Sequence, residues 1–207
     1  MTNYLHQYDL PSNIKLKGDI AVDTETRGLN IFQRDRLCVV QISDGSGDAH
    51  LVQFPKPDFS KAKNLKKILS EKSRVKIMHY GRFDIAAINI FLEVDITNIF
   101  CTKIASKLVR TFTDKHGLKE LTKELLGVEL NKQAQCSDWA GKLNSKQIEY
   151  AANDVLYLHN IRAKLTKLLE EEGRLEIAKK CFDFLPSRAK LDIMGWPEKD
   201  IFSHDDK

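Results

Sequence analysis

Residues 20–26, IAVDTET, place two carboxylates, Asp23 and Glu25, two positions apart at the end of an apolar run. Side chains at positions i and i+2 of a strand point to the same face, so these two acids are expected to meet at one place. Two unit charges about 4 Å apart repel by roughly 4 kcal/mol at an effective dielectric constant near 20. The pattern therefore requires compensation, by a lysine, by solvent at a strand end or by a metal ion.

Two further acids lie where folding alone does not require them. Asp84 follows an aromatic residue in MHYGRFDIAAI, and Asp154 lies among apolar residues in EYAANDVLYL, four positions after Tyr150. An aspartate in a first helical turn also favours the helix dipole, and a tyrosine–aspartate pair at i, i+4 is often only a surface contact. Each motif alone therefore admits a structural interpretation, and their joint occurrence indicates chemistry.

Taken in order, AVDTET, HYGRFD and YAAND resemble the three exonuclease motifs of the DEDD superfamily, in its tyrosine-bearing branch. The resemblance extends over about residues 19–169, and residues 117–155 are similar to the RNase D group. The short chain is most similar to a compact subgroup, the nanoRNases C of alphaproteobacteria. The resemblance implies an α/β, RNase H-like exonuclease fold with a central mixed, partly antiparallel sheet flanked by helices.

The same resemblance implies a metal-dependent 3′–5′ exoribonuclease that hydrolyses short RNA, down to dinucleotides, to nucleoside 5′-monophosphates. By this resemblance, Asp23 would bridge two divalent ions, and Glu25 and Asp154 would complete one of the two metal sites. Asp84 would support the other site, partly through water, and Tyr150 would orient the attacking water. Mg²⁺ or Mn²⁺ suits such oxygen ligands. A DNA-directed 3′–5′ exonuclease and a catalytically inert nucleic-acid-binding domain of the same fold remain as alternatives.

Other residues are candidates for contact with substrate. Leu29 follows the first motif, where related enzymes wedge an apolar residue against the terminal base, although core packing is an equal alternative for a leucine. Thr24 and Thr26 could contact the 3′ end, and His79 is interpreted as structural or substrate-facing rather than as a metal ligand. Trp139 and Trp196 could stack on bases, although a core or subunit-contact role is favoured for both.

Strands and helices that would position these residues can be assigned from periodicity and turn signals. The predicted strands form an antiparallel meander over 18–26, 36–45 and 49–54, followed by a fourth strand at 74–80. The predicted helices cover 60–71 with Ser60 as cap, 84–93, 101–112, 118–126 ending at Gly127, 144–173 and 174–186. Asn144 and Gln147 resemble a capping box. The tail 186–207 is predicted to be irregular.

Length, charge and hydrophobicity limit which classes of protein the chain can belong to. The chain has 207 residues and a net charge of +4, which permits a nucleic-acid partner without demonstrating one. We expect a single domain, residues 1–207, with its core at about 18–173. No apolar run reaches the roughly 18 residues of a membrane span, so no membrane association is expected.

Cysteine spacing and the apolar tail add two expectations. Cys38, Cys101, Cys136 and Cys181 form no CxxC pair, which favours reduced thiols and a cytoplasmic location. The tail 186–207 is unusually apolar, and a free tail would expose that surface. Packing of the tail back on its own domain is the simpler explanation, and contact with another subunit is the one predicted here. The family resemblance implies a homo-oligomer, a ring-like octamer, whose assembly favours very short RNA.

Overall fold

A computed structural model describes residues 2–130 and 137–204, and its centre is one mixed six-stranded sheet. The strands are β1 (Asn3–Gln7), β2 (Ile20–Thr26), β3 (Leu37–Ser43), β4 (Ala49–Gln53), β5 (Lys76–Met78) and β6 (Ile99–Cys101). Their order across the sheet is β1-β4-β3-β2-β5-β6. Strands β2, β3 and β4 pair antiparallel, as the sequence predicts, whereas β1, β5 and β6 join in parallel.

Seven α-helices surround this sheet in the described part of the chain. They are α1 (Lys63–Ser70), α2 (Arg82–Leu92), α3 (Thr102–Val109), α4 (Leu118–Leu126), α5 (Ser145–Leu156), α6 (Leu158–Glu171) and α7 (Leu175–Ile193). Helix α5 packs against the antiparallel strands, and α2 packs against β2, β3 and α7. The α/β class and the helix-flanked mixed sheet are thus confirmed.

Local signals fix several helix ends. The Asn144 side chain accepts a hydrogen bond from the Gln147 backbone, and the Gln147 side chain accepts one from the Asn144 backbone, so the capping box is present. Gly127 ends α4 with φ 72°, a left-handed conformation that glycine adopts without strain. Ser60, in contrast, is not the cap of α1: it lies in a short 3₁₀ turn, Phe59–Lys61, and α1 begins three residues later.

The predicted helix over 144–173 is two helices. The backbone turns at Tyr157, with φ −98° and ψ −8°, between α5 and α6. The turn separates two packing partners, because α5 lies against the sheet while α6 lies chiefly against α3. A single straight helix would not follow both surfaces.

The prediction of an irregular chain from Pro186 onward is wrong up to Ile193. Helix α7 continues through Pro186, although an internal proline removes a hydrogen bond and usually ends a helix. The continued helix buries a stripe at helical spacing, formed by Ala178, Phe182, Leu185, Ala189 and Asp192. Packing of this stripe against α2, β6 and α3 outweighs the local cost of the proline.

The core is built from the sheet and the inner faces of the helices. Every residue of β3 and β4 is buried, and Cys38 is one of the residues in this core. Cys38, Cys101 and Cys181 are free thiols, and Cys136 lies outside the described residues. Within residues 2–130 and 137–204, no helix combines the length and hydrophobicity needed to cross a bilayer.

Candidate active site

Three carboxylates from two elements meet beside β2, an inner strand of the sheet. Asp23 and Glu25 project from the end of β2, and Asp154 projects from α5, which packs across that strand. One oxygen atom from each lies within 4.8 Å of those of the other two. The i, i+2 geometry of the strand thus brings the first pair together as predicted, and the helix supplies the third acid.

Asp84 lies beside this group, in the first turn of α2. Its side chain is 5% exposed, and its Oδ1 accepts a hydrogen bond of 2.6 Å from the Thr24 hydroxyl. It is not one of the three acids whose oxygens converge within 4.8 Å. An acid that served only the helix dipole would be expected at the surface, whereas Asp84 is buried and interacts electrostatically with Asp23, Glu25 and Asp154.

The proximity of these acids opposes their ionisation. Burial, followed by the charges of Asp154 and Asp84, raises the pKa of Glu25 to about 9. Burial and the charge of Asp84 raise the pKa of Asp154 to about 7, and burial raises that of Asp84 to about 6 despite the Thr24 hydrogen bond. The pKa of Asp23 is raised well above its usual range, chiefly by burial and then by the other three acids.

Nothing cationic in the described chain compensates this repulsion. Across residues 2–130 and 137–204 no lysine, arginine or histidine forms an ion pair with any of the four acids. A lysine that neutralises Asp23 and Glu25, one of the explanations considered for their spacing, is therefore not found in these ranges. A cluster of oxygen donors that lacks protein cations has the composition of a Mg²⁺ or Mn²⁺ site.

A cavity of about 580 Å³ opens over the three converging acids, and we call it the Tyr150 chamber. Its lining includes Glu25, Trp139, Tyr150 and Asp154. Tyr150 and Asp154 therefore share one side of α5, as their spacing predicts. Trp139 is 1% exposed and its ring centroid lies 6.1 Å from that of Tyr150, so this tryptophan is a core residue that supports the tyrosine.

A second cavity, of about 550 Å³, shares Asp23 with the first, and we call it the Tyr80 chamber. Its lining includes Phe32, Tyr80, Arg82, Asp84, Pro197 and Glu198. Asp23, Leu29 and His79 line both chambers. The acidic cluster therefore lies where the two cavities meet.

Leu29 projects at this junction. Its side chain is 80% exposed, which excludes the core-packing alternative for this residue. The preceding Gly28 has φ 102°, and a Cβ there would meet the Asp35 carboxylate at 2.3 Å. Asp35 Oδ2 in turn accepts a hydrogen bond from the Asn30 backbone, so the close approach of Asp35 to Gly28 fixes the loop that carries Leu29.

His79 borders both chambers and is neutral. Burial, aided by the charge of Lys103, lowers its pKa to about 3. Its Nδ1 lies 2.9 Å from Oγ1 of Thr102, and the Thr102 hydroxyl is also within 3.3 Å of the Met78 carbonyl. The ring is thus held by the chain on one side and faces the cavities on the other.

The two threonines of the first motif have partners within the chain. The Thr24 hydroxyl donates to Asp84, and Thr24 lines neither chamber. The Thr26 hydroxyl donates to the Gly28 carbonyl at 2.6 Å, and Thr26 lines the Tyr150 chamber. The structure therefore gives the Thr24 hydroxyl a supporting contact with an acid, and leaves Thr26 next to the cavity.

Sequence reasoning missed the far wall of the Tyr80 chamber. Arg82 donates hydrogen bonds to both carboxylate oxygens of Asp192, at 2.5 and 2.7 Å, and to the Pro197 carbonyl. Arg188 joins the same carboxylate at 2.9 Å and donates to the Trp196 carbonyl. The buried stripe of α7 was the signal that could have placed Asp192 against α2.

The fold and this cluster of acids define a class of protein. Residues 7–170 match the 3′–5′ exonuclease family DNA_pol_A_exo1. The chain belongs to this family of 3′–5′ exonucleases.

Two sequence relatives are considerably longer than this chain. It is 32% identical over 156 residues to ribonuclease D of Sphingobium indicum, covering 75% of this chain and 39% of that protein. It is also 32% identical over 199 residues to DNA polymerase I of Aquifex aeolicus, covering 85% of this chain and 32% of that protein. The chain thus spans about two fifths of this ribonuclease D and about a third of this polymerase.

Solved structures are similar over nearly the whole chain. The structure of Brucella melitensis NrnC is 52% identical, with a TM-score of 0.94, covering 99% of this chain and 100% of that one. NrnC has also been solved with bound Mg²⁺ and bound to pGG. Escherichia coli RNase D, an exoribonuclease involved in structured RNA processing, is 29% identical with a TM-score of 0.71 and covers 83% of this chain and 45% of that one.

Proposed function

We propose that this protein is a 3′–5′ exoribonuclease that hydrolyses short RNA, down to dinucleotides, to nucleoside 5′-monophosphates. The observation that carries the proposal is the convergence of Asp23, Glu25 and Asp154 within 4.8 Å, in a cavity that Tyr150 also lines. Family membership supports the reaction type. The similarity to NrnC, solved with pGG, supports the short substrate.

The donor set fits two divalent cations. Asp23, Glu25 and Asp154 would hold one, and Asp84, held by Thr24 beside Asp23, would help to hold the second. Bound Mg²⁺ or Mn²⁺ would neutralise the phosphate and make water more acidic. NrnC has been solved with Mg²⁺, which favours that ion here.

Residues of the chain would organise the hydrolysis. Tyr150 is proposed to orient the attacking water, since phenols have an ordinary pKa near 10 and at neutral pH position water better than they deprotonate it. The water oxygen forms a bond to the scissile phosphorus while the bond from phosphorus to the 3′ oxygen of the upstream nucleotide breaks. The attacking water gives up one proton, the departing 3′ oxygen takes one up, and the 3′-terminal nucleotide leaves as its 5′-monophosphate.

Product analysis of labelled oligonucleotides tests this function. RNA and DNA of matched sequence, from two to twenty nucleotides, would be incubated with the full chain and Mg²⁺ or Mn²⁺. We expect stepwise loss of 3′ nucleotides from RNA, abolished by chelator, restored by added metal and absent in Asp23→Asn. Full hydrolysis without metal would overturn the two-ion proposal, and faster cleavage of DNA would support the DNA-directed alternative, which the similarity to a DNA polymerase keeps open.

We further propose a homo-oligomer in which the C-terminal segment contacts a neighbouring subunit. Five large apolar side chains near the end of the chain remain 38–75% exposed, namely Phe184, Met194, Trp196, Ile201 and Phe202. The rings of Phe184 and Phe202 lie 5.8 Å apart, so part of this surface is continuous. Exposed apolar surface of this kind is typical of protein interfaces.

Light scattering of the full chain would measure the oligomer. A chain ending at Gly195 is a suitable truncation, because it keeps all of α7, whereas an end at Leu185 would remove the buried residues Ala189 and Asp192. We expect an oligomer, the octamer being the state that the family resemblance implies, and a lower mass after truncation. A monomeric full chain at micromolar concentration would overturn the proposal.

A further inference from the structure

We propose that Gln41 is a positioning residue of the metal site, and that its side-chain amide donates a hydrogen bond to the Asp23 carboxylate when that acid holds a metal ion. Gln41 belongs to none of the three acidic motifs and lines neither chamber. The inference rests on the proposed function, since it requires a divalent cation at Asp23, and it adds a residue that supports the site from within the sheet.

Gln41 is a buried polar residue whose side chain is unpaired. It lies in the middle of β3, in the otherwise apolar run LCVVQI, and is 0% exposed. Within residues 2–130 and 137–204, neither its Oε1 nor its Nε2 has a hydrogen-bond partner. Such an amide is costly to bury, because it loses its hydrogen bonds to water and gains none from the protein. A polar group kept at this position therefore indicates a partner that is available in another state of the protein, such as the metal-bound one.

The register of the sheet places Gln41 beside the first acid. Asp23 and Gln41 are directly opposite each other in the antiparallel pair of β2 and β3. Opposite residues in such a pair share a face, with their Cβ atoms about 4.5–5.5 Å apart. Glu25 points to the same face, since it is two positions from Asp23. Rotation of the Gln41 side chain can therefore bring its amide to the Asp23 carboxylate without movement of either strand.

The other neighbours of Gln41 on this face offer no equivalent acceptor. Leu51, opposite it on β4, and Val39, two positions away on β3, are apolar. Ser43, two positions away in the other direction, already donates its hydroxyl to a backbone carbonyl in the following turn. Helix α5 covers this face, and of the residues that it buries three are apolar and one is engaged in the capping box, namely Ala151, Ala152, Val155 and Gln147. The acceptor next to the Gln41 amide in the sheet is therefore Asp23.

The chemistry of a metal-bound carboxylate suits an amide donor. The carboxylate is then ionised and has only acceptor sites, about four of them, and not all of these can face a cation. Metal ligands are commonly oriented by hydrogen bonds from such outer partners. Thr24 already provides this kind of donor to Asp84. Gln41 provides the equivalent donor to Asp23, from the neighbouring strand.

Gln53 is a matched residue on the same face of the sheet. It lies on the adjacent strand β4 and is 2% exposed. Its Nε2 donates to the backbone carbonyls of Trp139 and Gly141, at 3.0 and 2.7 Å, and its Oε1 accepts from the Gln7 side chain at 3.0 Å. The amide of Gln53 thus supports the metal-free fold, whereas the amide of Gln41 makes no hydrogen bond in the described part of that fold.

Gln41→Met and Gln53→Met test the inference, because methionine replaces each amide with an apolar side chain of similar length. Mg²⁺ affinity would be measured by calorimetric titration, and the Tm would be measured in chelator. Gln41→Met should leave the Tm in chelator unchanged or raise it, since it removes an unpaired buried amide. The same variant should weaken Mg²⁺ binding by about 10–100-fold, as is typical when the outer partner of a metal ligand is removed. Gln53→Met should lower the Tm in chelator and leave Mg²⁺ affinity close to that of the wild-type chain.

Gln41→Leu is a second apolar replacement, in case methionine does not fit the site. Wild-type Mg²⁺ affinity in a Gln41 variant that is as stable in chelator as the wild-type chain would overturn the role of Gln41 and leave the metal site and the nuclease function intact. A lower Tm in chelator for both Gln41 variants would also overturn it, because the amide would then already support the metal-free fold. A wild-type chain that binds neither Mg²⁺ nor Mn²⁺ would instead overturn the proposed function, and the role of Gln41 with it.

Discussion

The Thr24 hydroxyl donates a hydrogen bond of 2.6 Å to Oδ1 of Asp84, and so connects the strand of the first acidic motif to the helix of the second. Thr24 lies between Asp23 and Glu25 in sequence, on the opposite face of β2, where it is 8% exposed. One face of β2 therefore carries two of the acids, Asp23 and Glu25. The other face carries Thr24, which hydrogen-bonds to the third acid, Asp84.

Thr24→Val is expected to impair the metal site without disturbing the core. Valine has nearly the shape of threonine but cannot donate to Asp84, whose pKa the hydrogen bond lowers. We expect a loss of activity of about 10–100-fold, as is typical when the outer partner of a metal ligand is removed, together with weaker Mg²⁺ binding. Thr24→Ser should retain most of both, and wild-type metal affinity in the valine variant would contradict the role.

Stability of the metal-free protein is expected to fall as pH rises. The pKa values of Glu25, Asp84 and Asp154 lie at about 9, 6 and 7, above those of the unfolded chain near 4. Between these values the folded state retains protons that the unfolded state has released, so the free energy of unfolding decreases with pH. This stabilising contribution is fully present below about pH 4. It is lost as the pH rises through the pKa values of the folded state, about 6 to 9.

Thermal melting in chelator and in Mg²⁺ would measure this effect. In chelator the Tm should decline between pH 5.5 and pH 8.5, and Mg²⁺ should raise the Tm more at the higher pH, because binding requires deprotonated ligands. Asp154→Asn should flatten the decline, whereas Glu170→Gln, at an exposed acid of α6, should not. A Tm in chelator that rises over this range would contradict the raised pKa values.

Tyr150 and Asp154 share one face of α5 but are expected to have different roles, water orientation and metal binding. Tyr150→Phe should reduce kcat roughly 10²-fold, because the attacking water loses its orientation, while metal and substrate affinities stay close to wild type. Asp154→Asn should weaken metal binding by more than the roughly 10–100-fold seen for outer partners of ligands. Calorimetric titration of Mg²⁺ beside steady-state kinetics would test both, and equal losses of metal affinity would contradict the division.

Gly28→Ala is expected to displace Leu29. A methyl group at this position would meet the Asp35 carboxylate at 2.3 Å, and φ 102° is strained for alanine. We expect a severalfold higher KM for dinucleotides with a smaller change in kcat. Gly173→Ala is the control, because Gly173 also has a positive φ, 65°, but open space around it, and this variant should change stability without changing KM.

The acidic cluster was predictable because its geometry is mostly local. The i, i+2 spacing of Asp23 and Glu25 and the i, i+4 spacing of Tyr150 and Asp154 fix which side chains share a face, whatever the rest of the chain does. The family resemblance then supplied the order of the motifs. The antiparallel meander was accessible for a similar reason, since its strands follow one another with short turns.

Features that depend on distant contacts were not predictable. Strand β1 is mostly exposed and pairs with β4 about 46 residues away, so no alternating pattern marks it. Pro186 favoured a helix end by a local rule, and packing of the α7 stripe on α2 overrode that rule. The wall of the Tyr80 chamber depends on a contact between Arg82 and Asp192, 110 residues apart, that neither residue type nor spacing reveals.

That separation also sets an order of events during protein synthesis. Ribosomes release the chain from its N-terminus, so all four acids and Tyr150 emerge before Asp192 does. Until then Arg82 has no carboxylate to bind at this place. The contact that joins α2 to the end of α7 therefore forms only after nearly the whole chain has been synthesised, and the C-terminal part of α7 cannot be held against α2 before that point.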